Sequence, residues 1–399
     1  MGLKRSLGLF DIVLMNLVAI IGLRWIASAA ASGPNAMVLW LLAMLLFFIP
    51  QGLTVAELSS RYPEEGGIYA WTKRAFGDFH GFVCGWCYWV NNLFYFPSLL
   101  IFVSANAAFL FAASHPEWHL DQSKVFVTTL TLSILWIVAI LNFIGMQAGK
   151  WLQNIGGLAN WVPAGLLILL GGVALFKYGS ANAFTLKTVM PNLANTEKLS
   201  FFSEMCFAFA GLELVSVLAG EIKNPGKTIT RSIVISGFFI VGVYMLGTLG
   251  VLVSIPQDQV TTVNGVLLPI QKVGNAFGLG ILAVISAGFI AIAGCGGTMA
   301  WFSGASRMPY IVGVDRYLPK AFGNVHAKFN TPYVAILVQV LLATLFTLFA
   351  TAGKGTGVDT AYNILVDMCL ILYFIPYLYL FLTVIYLRFH DPVSPVSRK

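Results

Sequence analysis

Charge is what this sequence lacks. Its 399 residues include 23 Lys and Arg and 16 Asp and Glu, a charged share of 10% beside 58% apolar residues, where a soluble domain carries roughly a quarter. So little polar surface excludes a water-soluble globule, and such high hydrophobicity excludes an intrinsically disordered chain. Long basic runs are missing too. The formal charge is +7, yet no run exceeds a pair such as Lys73-Arg74, which argues against a nucleic-acid partner. The five cysteines all lie in apolar runs, which argues against a secreted disulfide framework. Cys84 and Cys87 have CxxC spacing but no βαβ pattern around them, and read as small packing residues.

Catalytic and metal signatures are equally scarce. His115 and His119 are four apart, with Pro116 between them and no further ligands, so no zinc site is expected. Gly226-Lys227-Thr228 lacks the earlier glycine of a P-loop, because Glu221 stands there. No Ser and His pair falls at membrane depth. The expectation is a chain that is not an enzyme and carries no cofactor and no metal.

What is present is a series of long apolar segments. A bilayer core needs roughly 20 apolar helical residues per crossing, and ten segments qualify, at about 9–31, 35–60, 80–112, 125–145, 151–177, 200–222, 231–254, 278–307, 332–351 and 361–388. They are numbered here as spans 1 to 10. Alternation of the kind a membrane barrel shows is missing from them. An N-terminal signal peptide is a tempting alternative, with Lys4 and Arg5 before an apolar stretch and Ala27 to Ala31 behind it. Asp11, Asn16 and Arg24 interrupt that stretch, and nine more spans follow.

Basic residues in the connections orient the spans. With the N-terminus inside, sixteen Lys and Arg fall on the inner side, among them Lys4, Arg5, Arg61, Lys73, Arg74, Lys150, Lys223, Lys227, Arg231, Arg307, Arg316, Lys320 and Arg398. Six fall outside: Lys124, Lys177, Lys187, Lys198, Lys272 and Lys354. The positive-inside rule then puts both termini in the cytoplasm, and the membrane expected for this multi-pass protein is the plasma membrane, the inner membrane of a bacterium. The inner loop 61–79 reads as a short interfacial helix, and the loop 308–331 has a similar mixture. The weakly apolar outer loop 255–277 suits a lid.

Two spans carry a glycine beside an ionisable residue at mid-membrane: Gly22-Leu23-Arg24 in span 1 and Gly211-Leu212-Glu213 in span 6. A charge there costs roughly 3 kcal/mol on insertion scales and so faces a protein interior or a wet cavity. The two sites lie five spans apart. If spans 1–5 and 6–10 are inverted repeats, the first helix of each half is where a discontinuous helix belongs, with its freed amides and carbonyls turned to a substrate. A zwitterionic amino acid fits such breaks, its carboxylate on amides and its ammonium on carbonyls. The glycines Gly294, Gly296, Gly297 and Gly304 of span 8 read as packing.

With their flanks, these stretches resemble the amino acid-polyamine-organocation superfamily of transporters over essentially the whole chain. The resemblance rests on AELSSRYPEEGGIYAWTKRAFGDFHGFVCGW at 56–86, FAFAGLELVSVLAGEIKNPGKTI at 207–229, SRMPYIVGVDRYLPKAF after span 8, and NTPYVA at 330–335. It implies an all-α membrane fold, a ten-helix 5+5 inverted-repeat core of the LeuT type with discontinuous helices 1 and 6. It implies one domain over 1–399, with repeats at about 9–177 and 200–388, and secondary transport of amino acids or related amines by alternating access. It further implies that the backbone at Ile21, Gly22 and Leu23, and at Phe207, Ala208, Phe209 and Gly211, meets the substrate, that Phe207 gates, and that Glu213 serves proton coupling.

This sequence departs from that pattern in three places. Leu23-Arg24 follows Gly22 where relatives have a Gly-x-Gly cluster, and with Pro163 this resembles the glutamate/GABA antiporter branch. Arg24 either offers a bidentate fork to a carboxylate or pairs with Glu213 or Asp367. Asn160 stands nearest the place of a coupling lysine in span 5. Most relatives have twelve spans, so this chain reads as a short form or a fragment.

Asn91, Asn92 and Tyr95 in span 3 either line a cavity or bond between helices. Asp367 in span 10 is a further coupling candidate, and Glu204 a weaker one. The expected function is therefore transport of an amino acid through the lipid bilayer, by exchange or proton coupling, in an oligomeric state the residues do not reveal. The rivals are a polyamine exchanger, which Arg24 opposes by repelling cations, and a transport-inactive amino acid sensor. A channel has no repeated filter motif to support it.

Overall fold

A computed structural model describes residues 7–63, 66–112, 118–191, 196–314, 317–329, 331–353 and 357–390. Lys4, Arg5, Glu64, Glu65, His115, Pro116, Asp315, Arg316, Asn330, Lys354, Arg398 and Lys399, on which parts of the sequence reading rest, lie outside the described residues, as do the side chains of Lys150 and Glu221.

Among the described residues, nine helices are long and apolar enough to cross a bilayer, and a tenth span is made by Leu9–Ile20 and Leu23–Ala31, bent by 43°. The other spans are Ala36–Arg61, Asp78–Phe111, Lys124–Ile144, Trp151–Tyr178, Lys198–Ser216, Pro225–Ser254, Ile281–Tyr310, Tyr333–Ala352 and Val358–His390. Their bounds follow the apolar runs, because a helix is the element that satisfies its own backbone in lipid. Two local features went unanticipated. Span 2 contains a π-helical turn, Met44–Phe48, just before Pro50, a place where the missing N–H of proline loosens the ladder. The second half of span 6, Leu212–Glu221, is a 3-10 helix.

The connections also took shape. The loop after span 2 holds the helix Ile68–Phe76, with Ile68, Tyr69, Trp71, Thr72 and Ala75 buried. The loop after span 7 holds Leu267–Ala276, which buries Leu267, Ile270 and Val273. The Asn106 amide of span 3 ties this loop down by donating to the Val263 carbonyl at 2.9 Å. Just before span 1, Leu7 pairs in parallel with Ile222 beyond span 6, and Lys223 N donates to the Leu7 carbonyl at 3.0 Å.

Span 3 runs along span 10, and span 8 along span 5. Small residues set the closeness of the second pair. A Cβ on Gly296 would stand 2.6 Å from the Leu152 carbonyl oxygen, and one on Gly156 would stand 2.7 Å from Gly296 Cα. In lipid such close packing is the main force between helices. The packing reading of span 8 holds for Gly294, whose Cβ would lie 2.0 Å from Val103. It fails for Gly297, where an added Cβ meets nothing within 4 Å because the position opens onto a cavity.

Candidate substrate site between the broken helices

Span 1 breaks at Ile21 and Gly22, both extended, and Leu23 starts a new helix. Gly22 is needed for closeness: a Cβ there would stand 2.9 Å from Trp25 Cδ1. Span 6 breaks over Phe209 to Gly211, and Gly211 has φ +122°, which favours glycine. Backbone groups freed by a break inside lipid must find partners, and four side chains supply them. Asn160 Nδ2 of span 5 donates to the Ile21 carbonyl at 2.5 Å. Trp301 Nε1 of span 8 donates to the Ala19 carbonyl at 3.1 Å. The Tyr377 hydroxyl of span 10 accepts from Gly211 N at 2.9 Å.

The fourth is Tyr244 of span 7, fully buried. Its hydroxyl donates toward the Ile20 carbonyl at 2.6 Å and the Ala208 carbonyl at 3.2 Å, and accepts from Gly22 N at 3.1 Å. One oxygen thus joins both breaks. The N–H groups of Leu23 and Arg24, in the first turn of the new helix, meet no acceptor among the described residues.

A narrow cavity lies against the breaks, bounded by Ile20, Asn91, Asn92, Ala208 and Ala210 and walled by the rings of Trp25, Tyr95, Phe207, Trp301 and Tyr373. Phe207 is its centrepiece, edge-on to Trp25 at 5.3 Å and to Tyr373 at 5.1 Å between ring centroids. The Oδ1 atoms of Asn91 and Asn92 are buried with no donor. Behind Tyr95 and Trp301 lies a second, roomier cavity, lined among others by Ile21, Gly22, Leu23, Arg24, Asn160 and Gly297.

Arg24 is 1% exposed. Its Nη1 donates to Ser98 Oγ at 2.8 Å, and its guanidinium stacks on Trp25 and Tyr95, 4.1 and 4.6 Å from the ring centroids. Its Nη2 has no partner. Of the two readings of Arg24, pairing with Glu213 or Asp367 is absent among the described residues.

Glu213, also 1% exposed, sits in a cage of neutral donors. Its Oε1 accepts from the Tyr373 hydroxyl at 2.7 Å and the Tyr88 hydroxyl at 3.3 Å. Its Oε2 accepts from the Tyr377 hydroxyl at 2.5 Å, Gly211 N at 3.1 Å and Gln51 Nε2 at 3.4 Å. Tyr373 therefore touches both the Glu213 carboxylate and the Phe207 ring. Four predicted residues line neither cavity: Phe209, Gly211, Glu213 and Asp367. Phe209 points away, packing on Trp40, Phe48 and Tyr244. Asp367 is exposed beside Met368 and lines neither cavity.

The amino acid permease family matches residues 7–399. The chain belongs to that family. This permease is a multi-pass membrane transporter, not an enzyme. Over 98% of its length it is 29% identical to an uncharacterized transporter of Legionella pneumophila, covering 83% of that protein. It is 25% identical over 98% of its length to a probable agmatine/putrescine antiporter of Lactococcus lactis, 82% covered. To the serine/threonine exchanger of Bacillus subtilis it is 28% identical over 88%, with 78% covered. The solved structure of MhsT in complex with L-phenylalanine matches its fold with a TM-score of 0.64 at 11% identity, over 96% of this chain and all of that one. The permease therefore has the ten-span, 5+5 inverted-repeat core with broken first and sixth spans. The partners of the breaks repeat that symmetry: spans 5 and 7 serve the break of span 1, and spans 10 and 2 serve the region of span 6.

Sequence reasoning missed Tyr244, Trp301, Tyr373 and Tyr377. A hydroxyl or indole N–H deep in an apolar span is a signal they share, since such groups need a partner there.

Proposed function

We propose that this permease moves a carboxylate-bearing amino acid across the plasma membrane by alternating access, in exchange for another solute or with protons. The observation that carries the reading is Arg24: a buried guanidinium with one unpartnered nitrogen and no carboxylate in contact among the described residues. A buried charge is costly until it is paired, and a substrate carboxylate supplies the pair bidentately. The free N–H groups of Leu23 and Arg24 suit the α-carboxylate that every amino acid carries, which leaves the Arg24 guanidinium for the side-chain carboxylate of an acidic one. The unpartnered Asn91 and Asn92 oxygens among aromatic rings suit the ammonium end.

On this reading the two repeats, about 9–177 and 200–388 of a single domain, rock against each other around the cavity. Phe207 and Ala208 wall the first cavity and Ile21, Gly22 and Leu23 the second, Phe207 closes the first, and Glu213, which holds Gly211 N, reports protonation to Phe207 through Tyr373. Asp367, exposed on span 10, is left a distant electrostatic part. The excess of Lys and Arg on one side supports cytoplasmic termini. The cationic Arg24 disfavours the diamines named for the Lactococcus relative. Counterflow in proteoliposomes with acidic, neutral and basic amino acids and putrescine, with and without a pH gradient, tests the reading. Exchange of acidic substrates supports it, and exchange of putrescine alone overturns it.

A further inference from the structure

Gln51 of span 2 is fully buried, and its side-chain amide lies against the Glu213 cage. Its Nε2 donates to Glu213 Oε2 at 3.4 Å and to the Tyr377 hydroxyl at 3.1 Å. Its Oε1 is buried with no donor among the described residues. A buried amide ordinarily finds partners at both ends, and this one is served at one end and idle at the other.

The cage as it stands suits an ionised carboxylate. Five donors converge on its two oxygens: the hydroxyls of Tyr88, Tyr373 and Tyr377, Gly211 N and Gln51 Nε2. A protonated Glu213 carries instead an O–H that needs an acceptor. The Tyr377 oxygen is already taken, since it accepts from Gly211 N and Gln51 Nε2 and turns its own proton to Oε2. Turning the Gln51 amide end for end puts Oε1 where Nε2 stood, and the missing acceptor is supplied. Either orientation leaves one end of the amide idle, so the turn costs little.

The elements packed on this half of span 6 bring other titratable groups, each engaged elsewhere or set near a helix end. On span 2, Glu57 pairs with Arg61 at 3.2 Å. Span 3 adds Cys84, against the Thr72 hydroxyl at 3.5 Å. Span 1 has Asp11 in its first turn, bonded to Gly8 N at 2.8 Å. Span 7 has Tyr244, held by the breaks, and Lys227 and Arg231 near its start. In the helix Ile68–Phe76, Lys73 pairs with Asp78 at 3.5 Å beside the Tyr69 ring, and Arg74 lies over the Tyr62 ring. None of these bonds to Glu213 among the described residues. Neutral dipoles therefore hold the Glu213 proton, and Gln51 is the one among them with an acceptor to spare.

We propose that Gln51 is the positioning residue for the proton on Glu213: its amide donates to the carboxylate and turns to accept from the carboxylic acid. One proton from water joins Glu213 Oε2, and no other covalent bond forms or breaks. Once turned, the amide no longer donates to the Tyr377 hydroxyl, which also holds Gly211 N, so the change reaches the break of span 6. This rests on the reading of Glu213 as the gate's proton carrier, and it adds the group that lets both protonation states be held in one buried cage.

Infrared titration of the full-length permease in lipid vesicles, without substrate, follows the carboxylic C=O band that Glu213→Gln removes. Glutamine labelled with carbon-13 at its side-chain carbonyl picks out the Gln51 amide band in the same spectra. In the unmodified protein the two bands change together with pH. In Gln51→Met, which keeps the length and loses both polar ends, the carboxylic band forms about one pH unit lower, a roughly tenfold weaker hold on the proton, because the acid loses its acceptor and the carboxylate keeps its other donors. A purely structural glutamine would leave that midpoint in place. An unmoved midpoint in Gln51→Met, or no labelled amide band that follows Glu213, overturns the proposal; should Gln51→Met fail to fold, the labelled unmodified protein set against Glu213→Gln still decides it. If Glu213→Gln removes no carboxylic band at any pH, the reading of Glu213 falls and this proposal with it. If that band is present and Gln51 is indifferent to it, the Gln51 assignment alone falls.

Discussion

The Tyr244 hydroxyl donates to the Ile20 carbonyl at 2.6 Å, and the same oxygen reaches Gly22 N and the Ala208 carbonyl. A residue of span 7 thereby fastens the broken ends of spans 1 and 6 to one point. Removing that oxygen strands backbone groups where no water replaces it, at about 1–3 kcal/mol. Tyr244→Phe should lower the thermal unfolding temperature of the detergent-solubilised permease. Tyr178→Phe, at an exposed ring, should stay within about 0.5 kcal/mol of the parent. Equal stability of all three proteins would remove the fastening role.

Neighbouring glycines of span 8 should behave oppositely. Gly296→Ala pushes a methyl group against the Leu152 carbonyl and Gly156 Cα, backbone atoms with no room to yield, and should cost about 1–3 kcal/mol. Gly297→Ala meets nothing and should leave stability unchanged. Gly297→Leu, which fills part of the second cavity, should discriminate against long substrates in uptake assays if substrate extends there.

Glu213 is hydrogen-bonded to three tyrosines and no cation among the described residues. Glu213→Gln keeps its size and most of its bonding and removes its ability to hold a proton. Turnover by Glu213→Gln in proteoliposomes should be insensitive to pH. Retained pH dependence of turnover would assign the gating proton elsewhere.

Much of this arrangement was legible in the sequence, for definite physical reasons. A bilayer imposes a length and an apolar composition on each span, so all ten could be read off. A charge beside a glycine at mid-membrane is expensive, so Gly22-Leu23-Arg24 and Gly211-Leu212-Glu213 marked both breaks to within a residue or two. The partners of the freed backbone were hidden because each comes from another span: Asn160 from span 5, Tyr244 from span 7, Trp301 from span 8, Tyr377 from span 10. Which way Phe209 and Asp367 face depends on helix rotation, which near-uniformly apolar segments do not encode. Gly297 looked like its neighbour Gly296 because composition does not distinguish a glycine under a helix from one beside a cavity.

The role of Arg24 is tested most directly by equilibrium binding of radiolabelled L-glutamate and L-serine to the purified unmodified permease, Arg24→Lys and Arg24→Ala. Loss of a buried charge pair is worth about 2–5 kcal/mol. Arg24→Ala should therefore weaken L-glutamate by about 100-fold or more relative to its effect on L-serine, with Arg24→Lys between the two. Equal losses for both amino acids, or unchanged L-glutamate binding in Arg24→Ala, would contradict the account.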